Sequence, residues 1–145
     1  MTRGVPLPVR VFVDTGALFA VFNRDDVHHA AAQSFLIRDR RVRRSFITSN
    51  FVIAETHALI LRRAGRKPAF QFLRSMQSGA TVIERISEGD EKRALEIITQ
   101  YDDKDFSYTD ATSFAVMERL QIDTAFAFDR HFRQYGFRTL TADET

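Results

Sequence analysis

Apolar positions along this chain fall into two alternating patterns. Short runs rich in β-branched and aromatic residues predict strands: Arg10 to Asp14, Ser45 to Thr48, Thr81 to Ile86, Thr124 to Phe128, and Phe137 to Leu140. Between them, apolar residues recur at helical spacing, predicting helices over about Ala17 to Asn23, Val27 to Arg38, Asn50 to Arg63, Lys67 to Gln77, Ser87 to Tyr101, Asp110 to Leu120 and Arg130 to Gln134. Punctuation agrees with these limits. Asp25-Asp26, Ser49 or Asn50, and Ser107 or Thr109 offer N-caps, while Gly65, Gly79 and Gly136 offer stops. Residues 1–9, with Pro6 and Pro8, read as an extended lead-in. Strands alternating with helices argue for an α/β protein with a parallel sheet covered by helices on both faces.

The first strand is the most informative. Val11-Phe12-Val13 is apolar at every position, as expected for a central strand buried on both sides. It ends at Asp14, and Thr15-Gly16 turn the chain into the next helix. In open parallel sheets, ligands bind at the carboxyl ends of strands, where Asp14 would sit.

Length and composition narrow the chemistry. At 145 residues the chain is read as one domain, 1–145, with a core dominated by 14 Phe and no Trp. The absence of Cys excludes disulfides, thiolate nucleophiles and Cys-ligated zinc, and it is compatible with a cytoplasmic location. No run reaches membrane-spanning length, and MTRGVPLPVR lacks the apolar core of a signal peptide. The net charge of +2 matters less than its distribution. Arg38, Arg40, Arg41, Arg43 and Arg44 crowd one segment, and Arg62, Arg63, Arg66 and Lys67 another. Each cluster is either a solvated surface run or a track for phosphates.

Four acids stand at the edges of apolar segments. Asp14 is either a ligand-facing acid or a cap for the next helix. Asp129 repeats the pattern after Ala125-Phe126-Ala127-Phe128, and adjacent strands about 4.8 Å apart would bring the two together. Asp110 lies one turn before Phe114 on a helix whose buried stripe is Phe114, Val116, Met117 and Leu120; it is an inward acid or an ordinary first-turn acid. Glu55, within FVIAETHALI, is expensive to bury without compensation, unless Thr56 and His57 mark an exposed face. Carboxylates packed together repel, a situation tolerated where cations fill the gap. Oxygen ligands without Cys or a His pair favour Mg²⁺ or Mn²⁺, which activate water for in-line phosphoryl displacement. His28, His29, His57 and His131 have no partner at metal or triad spacing, and Asp105 is a candidate outer acid.

Taken together, FVDTGALFAVF, SNFVIAETHALI, DFSYTDATSFAVM and FAFDRHF resemble, in order, the four motifs of the PIN domain, and within it the VapC-type toxins. The resemblance covers nearly the whole chain. It implies a three-layer sandwich with a five-stranded parallel sheet in the order 3-2-1-4-5, and Mg²⁺- or Mn²⁺-dependent endoribonuclease activity. It also implies a homodimer and a cognate antitoxin that inserts a peptide near the acids. Carried onto this sequence, Asp14, Asp110 and Asp129 would hold the metal and Glu55 would complete the pocket. Thr15, Asp105 and Thr109 would support it, and Arg41, Arg43, Arg44, Arg62 and Arg63 would guide an RNA backbone.

Asp14-Thr15-Gly16-Ala17 also resembles the catalytic loop of aspartic proteases, but that fold is almost entirely β and this chain is rich in helix. A phosphatase with an aspartyl nucleophile would want an acid at position 16, which is Gly. The remaining alternatives are a fold of this kind that docks RNA or protein without turnover, and an RNA-processing nuclease that is no toxin.

Overall fold

A central strand buried on both faces needs a neighbour on each side, and the chain supplies both. The computed structural model describes residues 7–38 and 43–140, excluding the side chains of residues 35–38; Arg40 and Arg41 therefore lie outside the described residues. In order, the elements are β1 (Val9–Val13), α1 (Thr15–Phe22), α2 (His29–Arg38), β2 (Arg44–Ser49), α3 (Asn50–Ala64), α4 (Arg66–Ser78) and β3 (Val82–Glu84). They continue with α5 (Glu88–Gln100), α6 (Tyr108–Leu120), β4 (Thr124–Phe126), α7 (His131–Tyr135) and β5 (Arg138–Leu140). The five strands form one parallel sheet in the order β3-β2-β1-β4-β5. Phe12 faces Ile47 on one side and Ala125 on the other, so β1 is central as its apolar run requires.

Alternation along the strands sorts side chains between two cores. Val13, Phe46 and Phe126 line one cavity together with Leu18, Phe22 and Met76 of α1 and α4. Phe12 points the other way, 6.3 Å from the ring of Phe132, which in turn stands edge-on to Phe114 at 5.0 Å. Helices α1 and α4 therefore cover one face and α6 and α7 the other. Ion pairs lace the second side: Arg119 holds the buried Asp90 through Nε and Nη2, both at 2.9 Å, while Arg93 and Tyr135 converge on Glu118.

Two boundaries differ from the sequence reading in ways that bear on function. β4 ends at Phe126 rather than running to Phe128, because its partner β1 ends at Val13. The last rung to β1 is the Asp14 N–H donating to Phe126 O at 3.1 Å, and beyond it, among the described residues, β4 has no strand to pair with. Asp129 therefore sits on a bend past the strand. Likewise α6 begins at Tyr108, since Ser107 is its cap. Among the described residues, no helix is long and apolar enough to cross a membrane.

Candidate metal centre

The parallel sheet delivers the ends of β1 and β4 to one edge, and there three acids gather. Asp14 follows β1 and is buried to 3% exposure. Its backbone is extended (φ −84°, ψ 165°) and its carboxyl makes no capping bond to α1, so the helix-cap explanation of this acid does not describe it. Burial pushes the Asp14 carboxyl well above the usual carboxylate range, and the charges of Asp129, Asp110 and Glu55 push it further. The adjacent Thr15 amide offsets part of this. Sequence-distant acids thus act on one carboxyl.

Asp110 reaches the same edge from α6. Ser107 Oγ accepts the Asp110 N–H at 2.9 Å, and Asp110 Oδ2 accepts the Ser107 N–H at 3.1 Å. This reciprocal box fixes the first turn of α6 and holds Asp110 inward, at 7% exposure. Burial raises its pKa and the Asp129 charge adds to the rise; the Ser107 N–H and His131 oppose it. Asp129 is exposed, and its Oδ1 accepts the His131 N–H at 2.9 Å. That turn brings His131 Nδ1 to 2.8 Å from Asp110 Oδ2. One ligand-capable atom from each of Asp110, Asp129 and His131 falls within 4.8 Å of the others. The group includes two carboxylates at a separation a divalent cation can span.

From the sequence His131 is a single histidine with no Ser or Cys partner, and the structure gives it an acid instead. Its signal was there: it lies two residues beyond Asp129, at the start of a helix, where one turn can serve both side chains. Glu55 departs from the buried reading. The inward face of α3 is Val52, Thr56 and Ile60, and Thr56 is accommodated because its hydroxyl donates to Val52 O at 2.7 Å. Glu55 is exposed beside that stripe, near enough for its charge to reach Asp14.

Of the supporting candidates, Thr15 is buried and its Oγ1 has no hydrogen-bond partner among the described residues. Thr109 contributes its carbonyl, which accepts from Thr112 and Ser113 at 2.9 Å each. Asp105 is exposed and, among the described residues, makes no hydrogen bond to the acids.

The arginines are placed elsewhere. Arg44 opens β2 opposite Val9, so it and Arg43 stand at the amino end of the sheet, the opposite edge from Asp14. Burial lowers the Arg44 pKa, which marks it as packed into the structure. Arg62 and Arg63 are exposed in the last turn of α3, where they complement the helix dipole. They lie two turns beyond Glu55, about 10 Å along the axis. Arg43 and Arg44 are thus held away from the edge that carries Asp14.

The PIN domain family model matches residues 11–138, which include every acid described above. The chain belongs to the PIN domain family. This PIN domain is 35% identical over 127 residues to the 23S rRNA-specific endonuclease VapC20 of Mycobacterium tuberculosis, covering 88% of this chain and 95% of that protein. It is 27% identical over 123 residues to ribonuclease VapC26 of the same organism, covering 84% and 89%. The crystal structure of Mycobacterium tuberculosis VapC20, described as a sarcin–ricin loop cleaving toxin, superimposes with a TM-score of 0.84 at 33% identity over 90% of this chain and 98% of that one. The strand order and helical layers of this PIN domain are thus those of a VapC-type protein.

Proposed function

We propose that this PIN domain is a metal-dependent endoribonuclease that hydrolyses RNA phosphodiester bonds, the toxin of a VapBC-type pair, acting in the cytoplasm as a single domain. The observation that carries the reading is the convergence of Asp110, Asp129 and His131 within 4.8 Å, beside a buried Asp14 whose ionisation burial and the charges of Asp129 and Asp110 oppose. Such crowding is unfavourable in an isolated fold and favourable around a cation. The donor set fits one: carboxylate oxygens, the unpartnered buried hydroxyl of Thr15, and a single imidazole with no Cys. That chemistry suits Mg²⁺ or Mn²⁺.

In this reading Asp14, Asp110 and Asp129 hold the cation, and Glu55 completes the site from the rim. Bound there, a divalent cation supplies Lewis-acid activation of water and neutralises charge on the phosphate. The remaining work belongs to the chain. The Ser107 N–H and His131 hold Asp110 Oδ2, which fixes the carboxylate in place, and the Thr15 amide steadies Asp14. The exposed Arg62 and Arg63, with Arg43, are available to RNA phosphates away from the reacting bond.

The VapC20 relative acts on the sarcin–ricin loop of 23S rRNA, and we take that stem-loop as the first substrate to test. A toxin implies a cognate antitoxin, and a homodimer is proposed as the working form. The test is cleavage of an end-labelled sarcin–ricin loop RNA, with tRNA in parallel, in Mn²⁺, Mg²⁺ or chelator. The expected result is discrete cutting only with metal, abolished by Asp110→Asn. Intact RNA in every metal condition would leave a module that docks RNA without turnover.

A further inference from the structure

One aromatic pair, a half-buried Phe51 and an exposed Tyr108, stands at the acid edge and is used by nothing described above. Phe51, in the first turn of α3, and Tyr108, the first residue of α6, meet with ring centroids 5.7 Å apart and planes at 61°. Phe51 lies one turn ahead of Glu55 on the same helix face, and Tyr108 lies two residues ahead of Asp110. The pair therefore bridges the two helix starts that carry acids. Tyr108 is 46% exposed, and burial together with the nearby Glu91 charge of α5 raises the pKa of its hydroxyl. A ring has two faces, and a contact tilted at 61° engages at most one of them. By contrast, Phe128 beside Asp129 is half-buried and already holds a stacked partner, the His28 ring at 4.3 Å and 5°.

Charge makes this ring informative. The edge carries Asp14, Glu55, Glu91, Asp110 and Asp129, so away from the cation its field repels phosphates. The arginines Arg43 and Arg44 lie at the opposite end of the sheet. Beyond what the exposed Arg130 beside Asp129 supplies, binding of a nucleotide next to the reacting bond gains from contacts that do not depend on phosphate charge. Base stacking on an aromatic face is such a contact, and it is a common way of holding unpaired bases in RNA.

Resting on the nuclease reading, we propose that Tyr108, braced by Phe51, is the stacking platform for a nucleobase adjacent to the scissile phosphate. It is a positioning residue whose flat face holds an unstacked base while the acids hold the reacting group. Phe51 orients the ring from one side.

The experiment compares Tyr108→Phe, Tyr108→Leu and Tyr108→Ala with the parent in single-turnover cleavage of sarcin–ricin loop RNA in Mn²⁺, over a range of protein concentrations. Melting temperature is measured for each variant. Binding to a 2-aminopurine-substituted copy of the RNA is measured in an Asp110→Asn background. Leu and Ala are expected to raise the half-saturating concentration by about 5- to 150-fold, the range for loss of one stacked base, with the maximal rate within about threefold of the parent. Phe, which keeps the flat face, is expected to behave as the parent. Binding should quench 2-aminopurine fluorescence with Tyr or Phe at position 108 but not with Leu. Leu variants that bind and cut as the parent does would overturn the inference, as would a loss that tracks melting temperature across all three. Failure of the parent itself to cut any RNA with metal would overturn the nuclease reading and the inference with it.

Discussion

Removing one negative charge from the acid edge should stabilise the metal-free protein, and Asp129→Asn is the cleanest way to do it. Asn is isosteric and keeps an oxygen to accept the His131 N–H, which is 2.9 Å from Asp129 Oδ1. What is lost is repulsion with Asp110, whose ligand-capable oxygen lies within 4.8 Å. At that separation two unit charges repel by about 3 kcal/mol for an effective dielectric constant of roughly 20. Asp129 is exposed, so solvent screening reduces this to about 1 kcal/mol. For a chain of this length that corresponds to a rise of about 3–5 °C in melting temperature. The assay is calorimetry at pH 8 in chelator, with Asp102→Asn in the exposed loop as a control for net charge. In saturating Mn²⁺ the order should invert. A cation at 100 times its dissociation constant stabilises the parent by about 2.7 kcal/mol, and the variant holds it less tightly. If Asp129→Asn melts at or below the parent in chelator, the acids are not crowded against one another and the electrostatic argument fails.

Other outcomes follow from the same geometry. Asp14 and Asp110 have pKa values raised by burial and by neighbouring acids, so the stability they contribute is complete below about pH 4 and is lost as pH rises through their raised values. Asp90 and Glu118 are lowered, mainly by Arg119 and Arg93 acting against burial, and their contribution is lost on acidification. The metal-free protein should therefore be most stable on the acid side of neutrality, and Asp14→Asn should flatten the decline toward pH 8. A stability that climbs steadily to pH 8 in chelator would contradict this. His131→Ala frees Asp110 Oδ2 from a 2.8 Å contact and should weaken Mn²⁺ binding or cleavage by about 10- to 100-fold, read by calorimetric titration and by cleavage rate. Asp90→Ala removes both the Arg119 fork and the bond from the Ser87 N–H at the start of α5, and should cost about 2–3 kcal/mol in urea unfolding without a change in slope.

Much of the architecture could be read from the chain because each element announces its own surroundings. The unbroken apolar run of β1 requires burial on both faces, and the alternation of strand and helix requires parallel pairing; both are local consequences of period and propensity. The acids Asp14, Asp110 and Asp129 stood out for the same reason, as charges abutting segments that had to be buried. Which groups face one another was settled only in three dimensions. Where β4 stops depends on where β1 stops, and that places Asp129 on a bend whose turn carries His131 onto Asp110. A single hydroxyl bond on α3 lets Thr56 take the inward position and leaves Glu55 outside. The direction of β2, invisible in a run of arginines, sends Arg43 and Arg44 to the edge away from the acids. Periodicity encodes how deeply a residue is buried, but the identity of its partners depends on ladder register and helix rotation, which arise only when distant segments pack together.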